Sequence, residues 1–163
     1  MVNIHPVLRD GVYVLLLLAI MWYIIPKIIS LDYLVPFSIP SALKPAGIVL
    51  VILGAMLTLW CRGILISKGK GTPNPVDPPK MMVFSGPYRY VRNPMYIGYY
   101  TTLFGLSLWL PSSTLLLIII VSWPVVNFLI VHLEEPQLEK RFKGSYLKYK
   151  EKVPRWVPKF SRS

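Results

Sequence analysis

A single cysteine, Cys61, in a chain of 163 residues excludes an intrachain disulfide and leaves the redox compartment open. At the end of an apolar run it reads as a small buried residue rather than a nucleophile. Acidic residues are scarce, seven against eighteen lysines and arginines, for a net charge of +11. No polar stretch is long enough to fold a second core, so residues 1–163 read as one domain. Gly69-Lys70-Gly71 lacks the preceding strand and the Lys-Ser/Thr ending of a phosphate loop, which leaves it a flexible helix exit. No small-residue cleavage site follows the first apolar run, and Asp10 weakens the charge of Arg9 before it. That run is therefore expected to be a retained helix rather than a leader. No internal repeat is visible.

What the chain does have is apolar length. Hydrophobic residues make up 54% and the mean hydropathy is +0.52, too high for an ordinary soluble domain. Runs at about 12–34, 45–66, 94–110 and 112–133 approach the roughly 20 residues needed to cross a hydrocarbon core. The expectation is an all-α membrane protein with about four transmembrane helices, a loop over 67–93 and a C-terminal lid over 134–163. The first run crosses only if Lys27 snorkels. The third is the shortest, closes at Pro111, and is expected to form a tight hairpin with the fourth through Leu110-Pro111-Ser112-Ser113.

The positive charge is placed unevenly. Arg62, Lys68, Lys70, Lys80, Arg89 and Arg92 fall between the second and third runs, and a second basic group begins at Lys140. The loop between the third and fourth runs carries no charge. The positive-inside rule then places both termini and the basic loop in the cytoplasm, with Lys27 and Lys44 dissenting. Attraction to anionic headgroups accounts for the surplus charge without nucleic acid.

Several local patterns bear on the site. Pro73, Pro75, Pro78 and Pro79 favour an extended, stiff loop. Gly98, Thr101, Thr102 and Gly105 make a small-residue face along which another helix can approach. Pro124 is expected to bend the fourth helix. Leu138, Phe142, Tyr146 and Tyr149 recur at helical spacing among lysines and arginines. That is an amphipathic helix suited to lie on the membrane or cover the mouth of the bundle, with Gly144 a weak point. Trp156, between Pro154 and Pro158, is expected to anchor at the interface.

Two polar clusters should meet at one end of the bundle. Arg89, Tyr90, Arg92, Asn93 and Tyr96 enter the third helix, and His132, Glu134 and Glu135 leave the fourth. Adjacent carboxylates at a membrane boundary are costly unless solvated, paired or used. A plain Arg–Glu pairing that caps the hairpin explains the charges equally well. Pro94 and Pro136 each fit the first turn of a helix, so both clusters lie at breaks where backbone groups are free.

The stretch "GPYRYVRNPMYIG" and, downstream, "EEPQLEKRFKGSYLKYKEKVPRW" resemble the integral-membrane methyltransferases, together with "GTPNPVDPPK" upstream. This superfamily includes isoprenylcysteine carboxyl methyltransferase and the phospholipid N-methyltransferases. The resemblance covers roughly residues 69–158. It implies S-adenosyl-L-methionine bound without a Rossmann fold, in a cytosol-facing pocket formed by these motifs and the C-terminal helix. It also implies a lipophilic acceptor that arrives from the bilayer, and neither nucleic acid nor metal. The superfamily's Arg-His-Pro-x-Tyr motif falls on Arg92, Asn93, Pro94 and Tyr96, with Asn93 replacing histidine, and its acidic pair falls on Glu134 and Glu135. "NPMY" and "EEP" are closer to the phospholipid enzymes, whereas "GPYRYVRNP" and the basic tail are closer to bacterial relatives of the carboxyl enzymes.

Such a donor carries an ammonium, a sulfonium and a carboxylate, so its site needs both signs of charge. Glu134 and Glu135 can accept from the ammonium or ribose hydroxyls, and arginine can hold a carboxylate bidentately. Tyr90 and Tyr96 can cover adenine or face the sulfonium. A carboxylate acceptor needs only orientation, for which Arg89 or Arg92 would serve. An amine acceptor needs a base such as His132 or a glutamate, although His132 can equally be a hydrogen-bonded helix-end residue. The expectation is methyl transfer to the polar end of a lipophilic molecule, isoprenylcysteine-carboxyl-methyltransferase-like before phospholipid N-methyltransferase. A non-enzymatic scaffold that holds anionic lipid is the reading from another class.

Overall fold

The computed structural model describes residues 23–35, 37–73 and 77–158, with isolated positions at 11, 12, 15, 16 and 19. Of the expected first run, residues 13, 14, 17, 18 and 20–22 lie outside the described residues. Within them, residues 23–29 are helical and a 3-10 turn follows over Asp32–Leu34. Helix α1 spans Lys44–Ser67, α2 Pro94–Trp109 and α3 Ser113–Leu129. A π-helical turn over Ile130–Glu134 continues α3 into α4, Glu135–Phe142, and α5 follows over Gly144–Lys152. The described residues contain no strand.

Two helices are long and apolar enough to cross a membrane, Ser41–Ser67 and the continuous Ser113–Phe142. Large apolar side chains point outward from both, with Ile52, Leu59, Val121 and Val125 each more than half exposed. Helices that are hydrophobic on their outer face need a lipid environment rather than water. Helix α2 has 16 residues, about 24 Å at 1.5 Å per residue, against a core of about 30 Å. The expected count of four spans therefore rests on a first run described only in part and on a short α2.

Helix α2 runs antiparallel to α1 along a seam of glycines. A Cβ at Gly54 would meet Thr102 N at 2.5 Å and Gly98 O at 2.7 Å. At Gly47 it would meet Trp109 N at 2.5 Å and Gly105 O at 2.7 Å. Backbones touch here because neither helix presents a side chain. The small-residue face expected on α2 is thus in use, but its main partner is α1 rather than α3. The turn at 110–112 is as tight as expected, and Ser112 caps α3 by accepting from Leu115 N–H at 3.2 Å. At the same end Asp32 Oδ1 accepts from Ser112 Oγ at 3.0 Å and Thr114 N at 2.8 Å, tying the chain before α1 to this turn.

Helix α3 continues through Pro124, and a π-helical turn lies just before Pro136. Proline at 136 has no N–H for the carbonyl four residues back. Glu135 N–H reaches five residues back to Ile130 O, which is the π-helical bond. The fourth run accordingly does not stop at 133 but continues to Phe142. The chain reverses at Lys143, whose φ of 47° lies in the left-handed region, so the expected lid helix is two helices folded on each other.

Candidate functional site

Local sequence sets the two halves of the site. Asn93 is the N-cap of α2, yet its side chain makes no capping bond, and Pro94 at the first helical position removes one N–H that would need a cap. The backbone of this motif is clasped by the C-terminal segment: Arg92 N–H donates to Pro154 O at 2.9 Å and Asn93 N–H to Arg155 O at 3.3 Å. Trp156 holds that segment down by donating from Nε1 to Asn127 Oδ1 at 2.9 Å and packing at a 45° tilt against Trp123, with ring centroids 4.5 Å apart. These contacts give Trp156 a packing role on the bundle.

Between these elements lies a cavity of about 590 Å³. Its apolar wall includes Leu138, Phe142, Tyr146 and Tyr149, the amphipathic stripe, which covers the end of the bundle as expected. Pro78, Pro79, Met81 and Met82 of the 67–93 loop line another side, and Val126, Leu129 and Leu133 close the side towards α3. The polar lining is small: Arg92, Asn93, Glu134, Gln137 and Arg141, with the hydroxyls of the tyrosines. A few convergent polar groups in an apolar concavity of this size are the usual form of a small-molecule site.

The two adjacent glutamates have separate surroundings. Glu134 lines the cavity and accepts from Tyr96 OH through Oε2 at 2.8 Å. Glu135 is 2% exposed and does not line it. Arg155 binds Glu135 bidentately, Nε to Oε1 at 2.8 Å and Nη2 to Oε2 at 3.2 Å. Lys150 Nζ lies 3.3 Å from Oε2, and Arg92 Nη1 2.9 Å from Oε1. The last contact is an ion pair without hydrogen-bond alignment, since Arg92 Nη1 and Nε, both buried, have no hydrogen-bond partner. Hydrogen bonding to Glu139 and Glu135 raises the Lys150 pKa, and hydrogen bonding to Glu135 raises that of Arg155, so both cations are held charged. Burial is the main cause that raises the pKa values of Tyr146 and Tyr149, which keeps these phenols neutral.

Of the residues singled out in the sequence, the structure brings Arg92, Asn93, Pro94, Tyr96 and Glu134 to the cavity. Glu135 sits directly behind them. Tyr90 is 59% exposed and lines no part of it. Arg89 is exposed and opens onto a different cleft. His132 is exposed, stacks on Phe128 and bonds through Nδ1 to Phe128 O at 2.9 Å, a helix-surface position away from the cavity. These three are displaced because each faces outward from its turn. Sequence reasoning missed Arg155, hidden in a basic tail. Its mark was its place between two prolines, where a fixed extended segment can present one side chain inward.

Two helices long and apolar enough to cross a membrane, with a polar-floored cavity at one end of the bundle, define the class as a helical membrane protein with a candidate small-molecule site. Residues 43–145, more than half of the chain, match the family of phospholipid methyltransferases. The chain belongs to that family, within the superfamily of membrane methyltransferases that its motifs resemble. It is also similar to an uncharacterized protein of Haemophilus influenzae, 36% identical over 63 residues, which is 39% of this chain and all of that protein. No solved structure matches.

Proposed function

We propose that the chain transfers a methyl group from S-adenosyl-L-methionine to the polar end of a lipophilic acceptor. The observation that carries this is the pair of buried, unpartnered donors, Arg92 Nε and Asn93 Nδ2, on residues that share one cavity with the Glu134 carboxylate. Buried donors left unpaired cost about 1–3 kcal/mol each, so they fit a site completed by a ligand. They suit a donor carboxylate, while Glu134 suits an ammonium or ribose hydroxyls. The tyrosines suit adenine or the sulfonium. When bound, the donor supplies an electrophilic methyl carbon. The chain's own residues bind, orient and exclude water, which is most of what an in-line displacement requires.

A carboxylate acceptor, as in isoprenylcysteine, is our first reading. Arg92 and Arg141 line the cavity and could orient it, and among the described residues no histidine lines it, so an amine acceptor would need a base other than imidazole. The family's description favours the second, an ethanolamine headgroup, in which Glu134 would take the proton. Both place the site and the termini on the cytoplasmic side. Incubation with methyl-labelled donor and total membrane lipid separates them: a labelled ester is lost in mild base, and a labelled amine is not. Failure of the purified protein to bind S-adenosylmethionine or S-adenosylhomocysteine by calorimetry would sink both and leave the lipid-holding scaffold.

A further inference from the structure

A second concavity lies behind the first. Phe84, Arg89, Ser145, Lys148 and Lys152 line an open cleft of about 450 Å³, and Tyr149 is a wall shared with the main cavity. Three of the lining side chains are cations and none is a carboxylate. Lys148 and Lys152 lie one turn apart on α5 and extend along the same side. Arg89 ends the 3-10 segment Gly86–Arg89 and closes the cleft from across.

The contrast with the neighbouring face of α5 is informative. There Lys150 is held by Glu135 at 3.3 Å and Glu139 at 2.8 Å. Among the described residues, none of the cleft cations is ion-paired. Like charges gathered in one concavity repel, and an anion between them reverses the sign of that interaction. Phosphate is the matching chemistry: a guanidinium fork for two oxygens, two ammonium groups and the Ser145 hydroxyl for the rest.

The rim argues for the source of the phosphate. Phe84 is 49% exposed, and its ring meets Tyr149 edge-on at a centroid distance of 5.3 Å. Tyr90, also exposed, follows Arg89 directly, and exposed aromatics beside cations mark the headgroup level of a membrane. We infer that the Arg89–Lys148–Lys152 cleft binds the phosphate of an anionic phospholipid, with Phe84 against its glycerol end. This site is separate from the methyl-transfer cavity and does not depend on what that cavity does.

The test is native mass spectrometry of the full chain in detergent, titrated with phosphatidylglycerol or phosphatidylcholine. Arg89→Gln/Lys148→Gln/Lys152→Gln should weaken phosphatidylglycerol binding by roughly tenfold, the scale of one charge-assisted hydrogen bond. The control Lys68→Gln/Lys80→Gln/Lys140→Gln removes the same charge from exposed positions elsewhere and should leave binding within about twofold, as expected for diffuse surface charge. Equal loss in both variants would overturn the site in favour of diffuse attraction. Inorganic phosphate that displaces the lipid at the lipid's own affinity would overturn the lipid and leave a free-anion pocket. Should the triple variant aggregate, Lys152→Glu at the exposed end of α5 must show the same selective loss, and unchanged binding there overturns the proposal.

Discussion

The seam between α1 and α2 and the polar end of the bundle are built on opposite principles. Along the seam, Gly47, Gly54, Gly98 and Gly105 bring two backbones together until a methyl group has no room. At the polar end, large side chains from the 67–93 loop, α2, the π turn and α5 hold the elements apart around about 590 Å³ of space. The seam tolerates no added atom, whereas the cavity is lined by side chains with unused donors. Stability and chemistry therefore sit in different parts of the molecule. A rigid pair of helices supports the Arg92–Asn93 corner, which would otherwise be only a loop entering a short helix.

Breaking the seam should have the largest effect. Gly54→Leu places side-chain atoms where Thr102 N and Gly98 O already stand 2.5 and 2.7 Å from a Cβ. Overpacking costs about 1–3 kcal/mol even in cores that can shift, and two helix backbones cannot shift without parting. The variant should elute from size exclusion as aggregate or with reduced yield. A monodisperse variant with unchanged thermal stability in detergent would show that the helices are not in backbone contact.

Glu135→Ala comes next, and it sharpens the comparison because it strikes between support and site. Removing one partner of a buried ion cluster costs about 3–5 kcal/mol, since Arg92 and Arg155 are left charged and unpaired. A lower melting temperature and lost donor binding should appear together. Glu134→Gln should separate them, with donor affinity down by roughly tenfold, as for one charge-assisted bond, and melting little changed. If Glu134→Gln melts as low as Glu135→Ala, the division of labour between the two carboxylates is wrong.

That division was not legible in the sequence. Glu134 and Glu135 are neighbours in a motif, and only the π turn before Pro136, with its extra residue per turn, decides which one faces the cavity. The apolar runs, the stripe from Leu138 to Tyr149 and the meeting of Arg92, Asn93 and Tyr96 with Glu134 were legible, because periodicity and a short turn fix them. The partner of α2 was not. Gly47 and Gly54 lie seven apart on α1 and match Gly98 and Gly105 on α2, but the pairing shows only when both helices are read together. Arg155 escaped notice because its role comes from backbone bonds to Arg92 and Asn93, which no side-chain pattern announces.

Smaller effects test whether the C-terminal clasp belongs to the support or to the site. Trp156→Phe keeps an aromatic ring but gives up part of the indole's packing and the bond to Asn127, the latter worth about 0.5–1.5 kcal/mol. A slight loss of thermal stability should come with a larger fractional loss of donor affinity, because the segment fixes Arg92 and Asn93 rather than the bundle. Equal changes in the two readouts would assign Trp156 to general packing.

The smallest effect is expected at His132. Its ring stacks on Phe128 at 4.1 Å and faces away from the cavity, so His132→Ala should change stability by less than about 0.5 kcal/mol, as for a surface substitution. Its consequence for chemistry is larger than its consequence for folding. If transfer is to a carboxylate, the variant keeps its rate, because that acceptor needs orientation and not a base. A rate that falls with His132→Ala while stability is unchanged would require the histidine to approach the acceptor. The amine reading would then gain its base.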